Sequence, residues 1–177
     1  MVSELRNPVR QDLERCLEDR LPAFYHMALG LLGRADEAED AVQEAALRAV
    51  GSLHTFRSEA DICTWMHRIL INRCIDQLNR RTRETSNLSD QAIDDLWVDP
   101  SYSVDPAIVV QNLDTREKLA EALDRLRPQQ RAIVVMHDSH GWKLQEIADT
   151  FAMPLSTAKS HLRRGRQILV TLLAEEG

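Results

Sequence analysis

The chain has 177 residues, 44% of them hydrophobic and 5% aromatic, with 6 Gly, 6 Pro and a net charge of −6. That length suits one medium domain or two small helical ones, and the poverty of aromatics and turn formers points to helices rather than sheets. No apolar run approaches the roughly 18 residues of a membrane span, and residues 1–11 are polar without an apolar signal core, which predicts a cytoplasmic protein.

The acidic total argues against nucleic acid only until its distribution is read. Residues 84–117 hold eight acids and one base, so that segment carries −7 and everything else sums to +1. Local patches therefore matter more than the whole-chain charge.

In chain order, residues 12–83 read as helical. A first helix is predicted over 21–32, where Leu21, Phe24, Tyr25, Ala28, Leu31 and Leu32 recur at i, i+3, i+4 spacing and Gly33 supplies the stop. A second covers 35–50 and closes at Gly51. Its stripe of Ala38, Ala41, Val42, Ala45, Ala46 and Ala49 is small enough for close helix approach. The third and longest, 61–83, carries Ile62, Trp65, Met66, Ile69, Leu70 and Leu78. With no alternating βα signal, three packed helices are the simplest architecture.

Periodicity is lost from 84 to 105, where Ser, Asn and Asp dominate beside Pro100 and Pro106. This reads as a linker of about 20 residues, too long for a loop within a compact domain. Within it, Leu96-Trp97-Val98 offers a candidate apolar anchor at Trp97. Helical patterning resumes over 107–126 and over 128–137, with Pro128 at a helix start. Gly141 marks a turn. Helices over 143–151 and 155–173 follow, separated by Ala152, Met153 and Pro154. The expected fold class is all-α: two small helical domains, 1–84 and 107–177, joined by a flexible acidic linker, 85–106, the second domain a helix-turn-helix domain.

The three cysteines, Cys16, Cys63 and Cys74, form no CxxC pair and are expected as free, reduced thiols. Cys63, His67 and Cys74 fall near one helical stripe. A metal or redox site there is one reading, and small core residues beside a helix is the simpler one. No metal, cofactor or catalytic residue is assigned.

Three constellations carry chemistry. The first is 143–167. Ile147, Ala148 and Phe151 form an apolar face, a turn of three residues follows, and Pro154 opens a helix with Ala158 and Leu162 inward, as in a helix-turn-helix. Thr157, Lys159, Ser160, Arg163, Arg164 and Arg166 lie on that second helix, with no acid from Ser156 to Gln167. Basic and hydroxyl side chains on such a helix suit base edges and phosphates in a major groove. The second is 36–48, where Asp36, Glu37, Glu39, Asp40, Gln43 and Glu44 gather at a helix start favoured by the macrodipole. A solvated face and a protein-docking face both fit. The third is 72–83. Asn72, Asp76, Asn79, Arg80 and Arg83 share one face, suited to a phosphate backbone and unpaired bases. The loop 51–60 before it holds His54, Phe56 and Arg57, which can hold an unstacked base, although Phe56 reads equally well as a core plug.

These motifs, in this order, resemble the extracytoplasmic-function (ECF) class of bacterial sigma-70 factors over about residues 21–173. The carriers are Leu31-Leu32-Gly33, Asp36 through Glu44, Thr64-Trp65-Met66-His67-Arg68-Ile69 with Asn72 and Asp76, Leu126 through Arg131, Glu146-Ile147-Ala148 and Ser156 through Arg166. The resemblance implies that Asp36, Glu39, Asp40, Gln43 and Glu44 dock on the clamp helices of the largest RNA polymerase subunit. It implies that His54, Phe56, Arg57, Asn72, Asp76, Asn79, Arg80 and Arg83 melt and read the −10 promoter element. Thr157, Lys159, Ser160, Arg163, Arg164 and Arg166 would read the −35 element, the second domain resting on the polymerase flap region. The linker would thread the RNA exit region, and an anti-sigma factor would restrain the whole. Such a protein is a transcription initiation factor and no enzyme. Two other readings stand beside it: a regulator using only its helix-turn-helix, and a metal-dependent hydrolase using Asp40 and Glu44, for which no phosphate loop, triad or HExxH is present. In the turn, Ala152 replaces the usual Gly, at a cost of about 1 kcal/mol if it takes positive φ. Ala158, His161 and Arg163 also differ from the commonest family choices.

Overall fold

Helix α1 spans Pro8–Leu32 in a computed structural model that describes residues 8–85 and 113–175. It starts well before residue 21, because Leu13 and Cys16 are buried and extend the apolar stripe toward the N-terminus. Charged neighbours hide those two residues in the sequence. Pro22 lies inside the helix, a position that removes one backbone hydrogen bond and usually ends a helix. Leu21, expected in the core, is 52% exposed, while Phe24, Met27, Ala28, Leu31 and Leu32 are buried. Gly33 takes φ 75 and donates its N–H to the Leu29 carbonyl at 2.7 Å, the expected left-handed stop.

Helix α2, Ala35–Gly51, lays Ala38, Ala41, Val42, Ala45 and Ala49 against α1. Methyl groups at the contact let the two backbones approach closely. A 3-10 turn, Leu53–Thr55, leads into helix α3, Ile62–Thr85. The Asp61 carboxylate accepts the N–H groups of Cys63 (3.0 Å) and Thr64 (3.3 Å), which would otherwise lack helical partners. The buried side of α3 is Met66, Leu70, Ile71, Cys74 and Leu78, whereas Trp65 and Ile69 are only half-buried.

The cysteine expectation is corrected here. Cys16 and Cys63 form a disulfide across 47 residues of sequence, Cα to Cα 5.7 Å, and only Cys74 is free. The pairing follows from α1 beginning at Pro8, which carries Cys16 onto the helix face opposite the start of α3. His67 lies beside the bridge, its ring 4.5 Å from that of Phe24 and its Nδ1 2.8 Å from the Cys63 carbonyl. Burial holds its pKa below the ordinary value.

Helices α4 (Leu113–Asp124), α5 (Pro128–Val134), α6 (Leu144–Thr150) and α7 (Leu155–Glu175) follow. The helix expected over 128–137 gives way at Val135–Ser139 to a wider π turn, in which His140 N–H reaches back to the Val135 carbonyl at 3.2 Å. Gly141, φ 68, then reverses the chain. Ile133, Met136, Ile147, Ala148, Ala158, Leu162 and Ile168 make the core. Where α7 crosses α5, a Cβ on Gly165 would stand 2.7 Å from Val134 Cγ2, so the crossing requires a residue without a side chain. Residues Met1–Gln77 and Leu78–Gly177 form two compact units, and the chain is an all-α protein of two helical domains. Of the linker proposed for 85–106, Thr85 is the last residue of α3, and the rest, with Trp97 and residues 107–112 of the expected helix, lies outside the described residues. No helix among the described residues is long and apolar enough to cross a membrane.

Candidate functional site

At about 100° of rotation per residue, α2 places Asp36, Asp40, Gln43 and Leu47 on one line directly opposite its alanine stripe. All four are exposed, with Glu39 and Val50 flanking them. Leu47 is 72% exposed and Val50 45% exposed. Neither was among the residues expected for this face. The only sequence signal for them is a heptad-like spacing, 36, 40, 43, 47, 50. Glu37 and Glu44 face elsewhere. Glu44 pairs with Arg73 of α3, and Glu37 accepts a hydrogen bond from Gln77 of α3 and another from Arg34 at 3.1 Å. The Glu44 hydrogen bond holds the Arg73 pKa above its already high value. Of the expected docking residues, Glu44 is therefore engaged with α3, while Asp36, Glu39, Asp40 and Gln43 face solvent.

On α3, Asn72, Asp76, Asn79 and Arg83 form one line with Arg80 on its flank. Asn79 is half-buried and the other four are exposed. The same line runs back through Arg68 to Trp65, whose ring lies 5.4 Å from that of Phe56. Phe56 is half-buried, so it both packs on α3 and shows an edge to solvent. His54 and Arg57 of the same loop are exposed. Ser58 takes φ 57, a bend that L-residues seldom adopt.

The helix-turn-helix is built as its pattern requires. Lys143 N–H donates to Glu146 Oε2 at 3.0 Å and starts α6. Met153 N–H donates to the Ala148 carbonyl at 3.0 Å, and the Pro154 carbonyl accepts from Thr157 and Ala158 at the start of α7. Ala152 takes φ 50. Ala152→Gly should therefore stabilise the second unit by up to about 1 kcal/mol, partly offset by the freer unfolded chain. Differential scanning calorimetry would read a higher Tm, and a lower one would contradict the strain.

Lys159, Ser160 and Arg163 are exposed on the side of α7 away from Ala158 and Leu162, with Thr157 and Arg164 half-buried beside them. Ser160 Oγ donates to the Ser156 carbonyl at 3.0 Å. Arg166 departs from expectation. Its Nε donates to Asp138 Oδ2 at 2.9 Å and its Nη2 pairs with Oδ1, so the guanidinium is folded onto the π turn. That pairing raises its pKa. Burial first, then Arg127 and Arg164, depress the His161 pKa, so permanent cations carry this face at neutral pH.

A packed helix-turn-helix with exposed cations on its second helix, and three helices with an exposed acidic face in the other part of the chain, define a class, and comparison narrows it. Residues 16–84 match Sigma-70 region 2 and residues 116–169 match Sigma-70, region 4. The ECF RNA polymerase sigma factor SigM of Mycobacterium tuberculosis is 32% identical over 167 residues, covering 90% of this chain and 79% of that protein. The RNA polymerase sigma factor SigV of Bacillus subtilis is 29% identical over 166 residues, covering 93% and 92%. Among solved structures, the sigma factor RpoE of Bartonella quintana, in complex with the anti-sigma factor NepR, superposes with a TM-score of 0.65 at 26% identity, covering 93% of this chain and 98% of that one. The chain belongs to the ECF class of RNA polymerase sigma factors and is a transcription initiation factor.

Proposed function

We propose that the two domains divide the work as residues 1–84 and 107–177, with 85–106 between them, in a cytoplasmic factor that acts only within RNA polymerase holoenzyme. The outer face of α2, with Asp36, Glu39, Asp40, Gln43 and Leu47 along it, docks on the clamp helices of the largest polymerase subunit. Glu44 instead holds α2 in register with α3. His54, Phe56 and Arg57, with Asn72, Asp76, Asn79, Arg80 and Arg83, engage the −10 element. Phe56 on Trp65 supplies an aromatic wall against which an extruded base can stack. Thr157, Lys159, Ser160, Arg163 and Arg164 read the −35 element, the domain resting on the flap region, and Arg166 braces α7 through Asp138. Binding of an anti-sigma factor over the docking face restrains the protein, as the relative solved with NepR suggests by analogy. The reading is carried above all by the exposed Lys159-Ser160-Arg163 surface of α7 behind a packed helix-turn-helix.

Reconstituted transcription with core polymerase and a library of promoter sequences tests this. Initiation should require core enzyme and select both elements, whereas tight promoter-specific binding by the isolated chain at physiological salt would contradict it. Within that assay, Arg163→Ala or Lys159→Ala should cost about 1–3 kcal/mol at one −35 position if the contact is to a base edge. A loss equal for all sequences, with a shallower salt dependence, would mean a phosphate contact. No loss for either variant would remove α7 as the reading helix.

A further inference from the structure

We propose that the Cys16–Cys63 disulfide is a thiol-exchange site through which a dithiol reductant controls the loop that engages the −10 element. The inference rests on the reading of residues 51–60 as that loop. The bridge joins the middle of α1 to the first turn of α3, and both cysteines line a cavity of about 410 Å3. The loop itself lines the same cavity through Phe56 and Ser58, and Asp12, Arg15, Asp19 and Arg20 supply polar lining. The cavity therefore gives a reductant access to sulfur and places the loop next to the bond that breaks. A factor that works on the chromosome shares a reducing compartment, where disulfides in working proteins are mostly transient and sensing.

The exchange balances without a cofactor. A thiolate of the dithiol attacks Cys63 Sγ, the less buried sulfur by its residue's exposure. The Sγ–Sγ bond breaks, and Cys16 leaves as a thiolate and takes a proton. The second thiol of the dithiol then attacks the mixed disulfide, and Cys63 leaves and takes the second proton. Two electrons and two protons pass to the protein, and the dithiol becomes a disulfide. In the oxidised state the bridge clamps α1 to the start of α3, the helix on which Phe56 packs through Trp65. Opening it frees that wall, so the loop is less well ordered for base capture. Cys74 takes no part: burial pushes its thiol up to about 12, and Arg73 only partly opposes that.

The test uses the full chain with core polymerase, dithiothreitol as the dithiol, and a promoter carrying both elements. In denaturant, the oxidised protein should titrate one thiol, Cys74, and the reduced protein three. Reduction should lower permanganate reactivity of −10 thymines by about threefold or more while leaving core affinity within about twofold. The paired variant Cys16→Ser, Cys63→Ser should sit at the reduced value and ignore dithiothreitol, and Cys74→Ser should respond as the unaltered chain does. Reversible reduction of the unaltered chain gives the same readout without relying on a variant's folding. Equal melting in both redox states, with core-dependent transcription intact, overturns the switch alone. So does a bond that never forms in oxidised glutathione. Loss of core-dependent transcription in both states overturns the functional reading and the switch together.

Discussion

Leu47→Asp should weaken binding to core RNA polymerase by about 30- to 1,000-fold, that is by about 2–4 kcal/mol, and leave the fold intact. Leu47 is 72% exposed and sits opposite the alanine stripe, so the free protein gains almost nothing from it. Its substitution should cost the fold no more than about 0.5 kcal/mol. On the docked face the account reverses. Leu47, with exposed Val50 about one turn on and Gln43 and Asp40 running back along the same line, offers an apolar anchor continuous with polar groups, the anatomy of an interface centre beside its rim. An aspartate there loses the anchor and must shed its hydration on docking. Rim changes such as Asp40→Arg or Gln43→Ala should cost less, and the charge change should act more on association rate and salt dependence. Fluorescence anisotropy of labelled protein against core enzyme gives the affinity, and circular dichroism checks folding. Undiminished affinity in a folded Leu47→Asp protein would remove the α2 outer face from the interface.

Leu47 also shows where the sequence stops being legible. The alanine stripe of α2 is periodic, and one inward face follows from it directly. A single leucine on the outward face carries no such pattern, because isolated exposed apolar residues are ordinary on protein surfaces. Its meaning appears only when its exposure, and that of Asp36, Asp40 and Gln43 along the same line, are known. The start of α1 was hidden for a related reason: between Pro8 and Arg20 only Leu13 and Cys16 reach the core, and Pro22 suggests a break where the helix continues. Turns held by local chemistry were legible. Gly33, Gly141 and Ala152 all adopt the positive φ that their positions implied. Pairings between distant residues were not. Glu44 with Arg73 and Arg166 with Asp138 each redirect a residue that sequence had set facing outward, and sequence separations of 29 and 28 give no periodic cue to either.

The largest effect on stability is expected at the one covalent pairing. Opening Cys16–Cys63 releases a closed loop of 47 residues, and the chain-entropy model assigns such a loop about 4 kcal/mol of denatured-state constraint at 25 °C. Against a total of about 5–15 kcal/mol for an ordinary domain, that is a large share. The loss should not spread evenly. The first part of α1 is held by Leu13 and by the bridge, while its second half is packed through Phe24, Met27, Ala28 and Leu31 against the alanines of α2. The weakly held part should open first, since local unfolding follows the density of buried apolar contacts. Hydrogen exchange on oxidised and reduced protein checks this. Reduction should remove most protection from amides in the first half of α1 and at the start of α3, remove less from α2, and leave α7 as it was. Uniform loss across α1 and α2 would mean that the unit opens as one body. Protection unchanged by reduction would mean that packing alone holds α1 to α3.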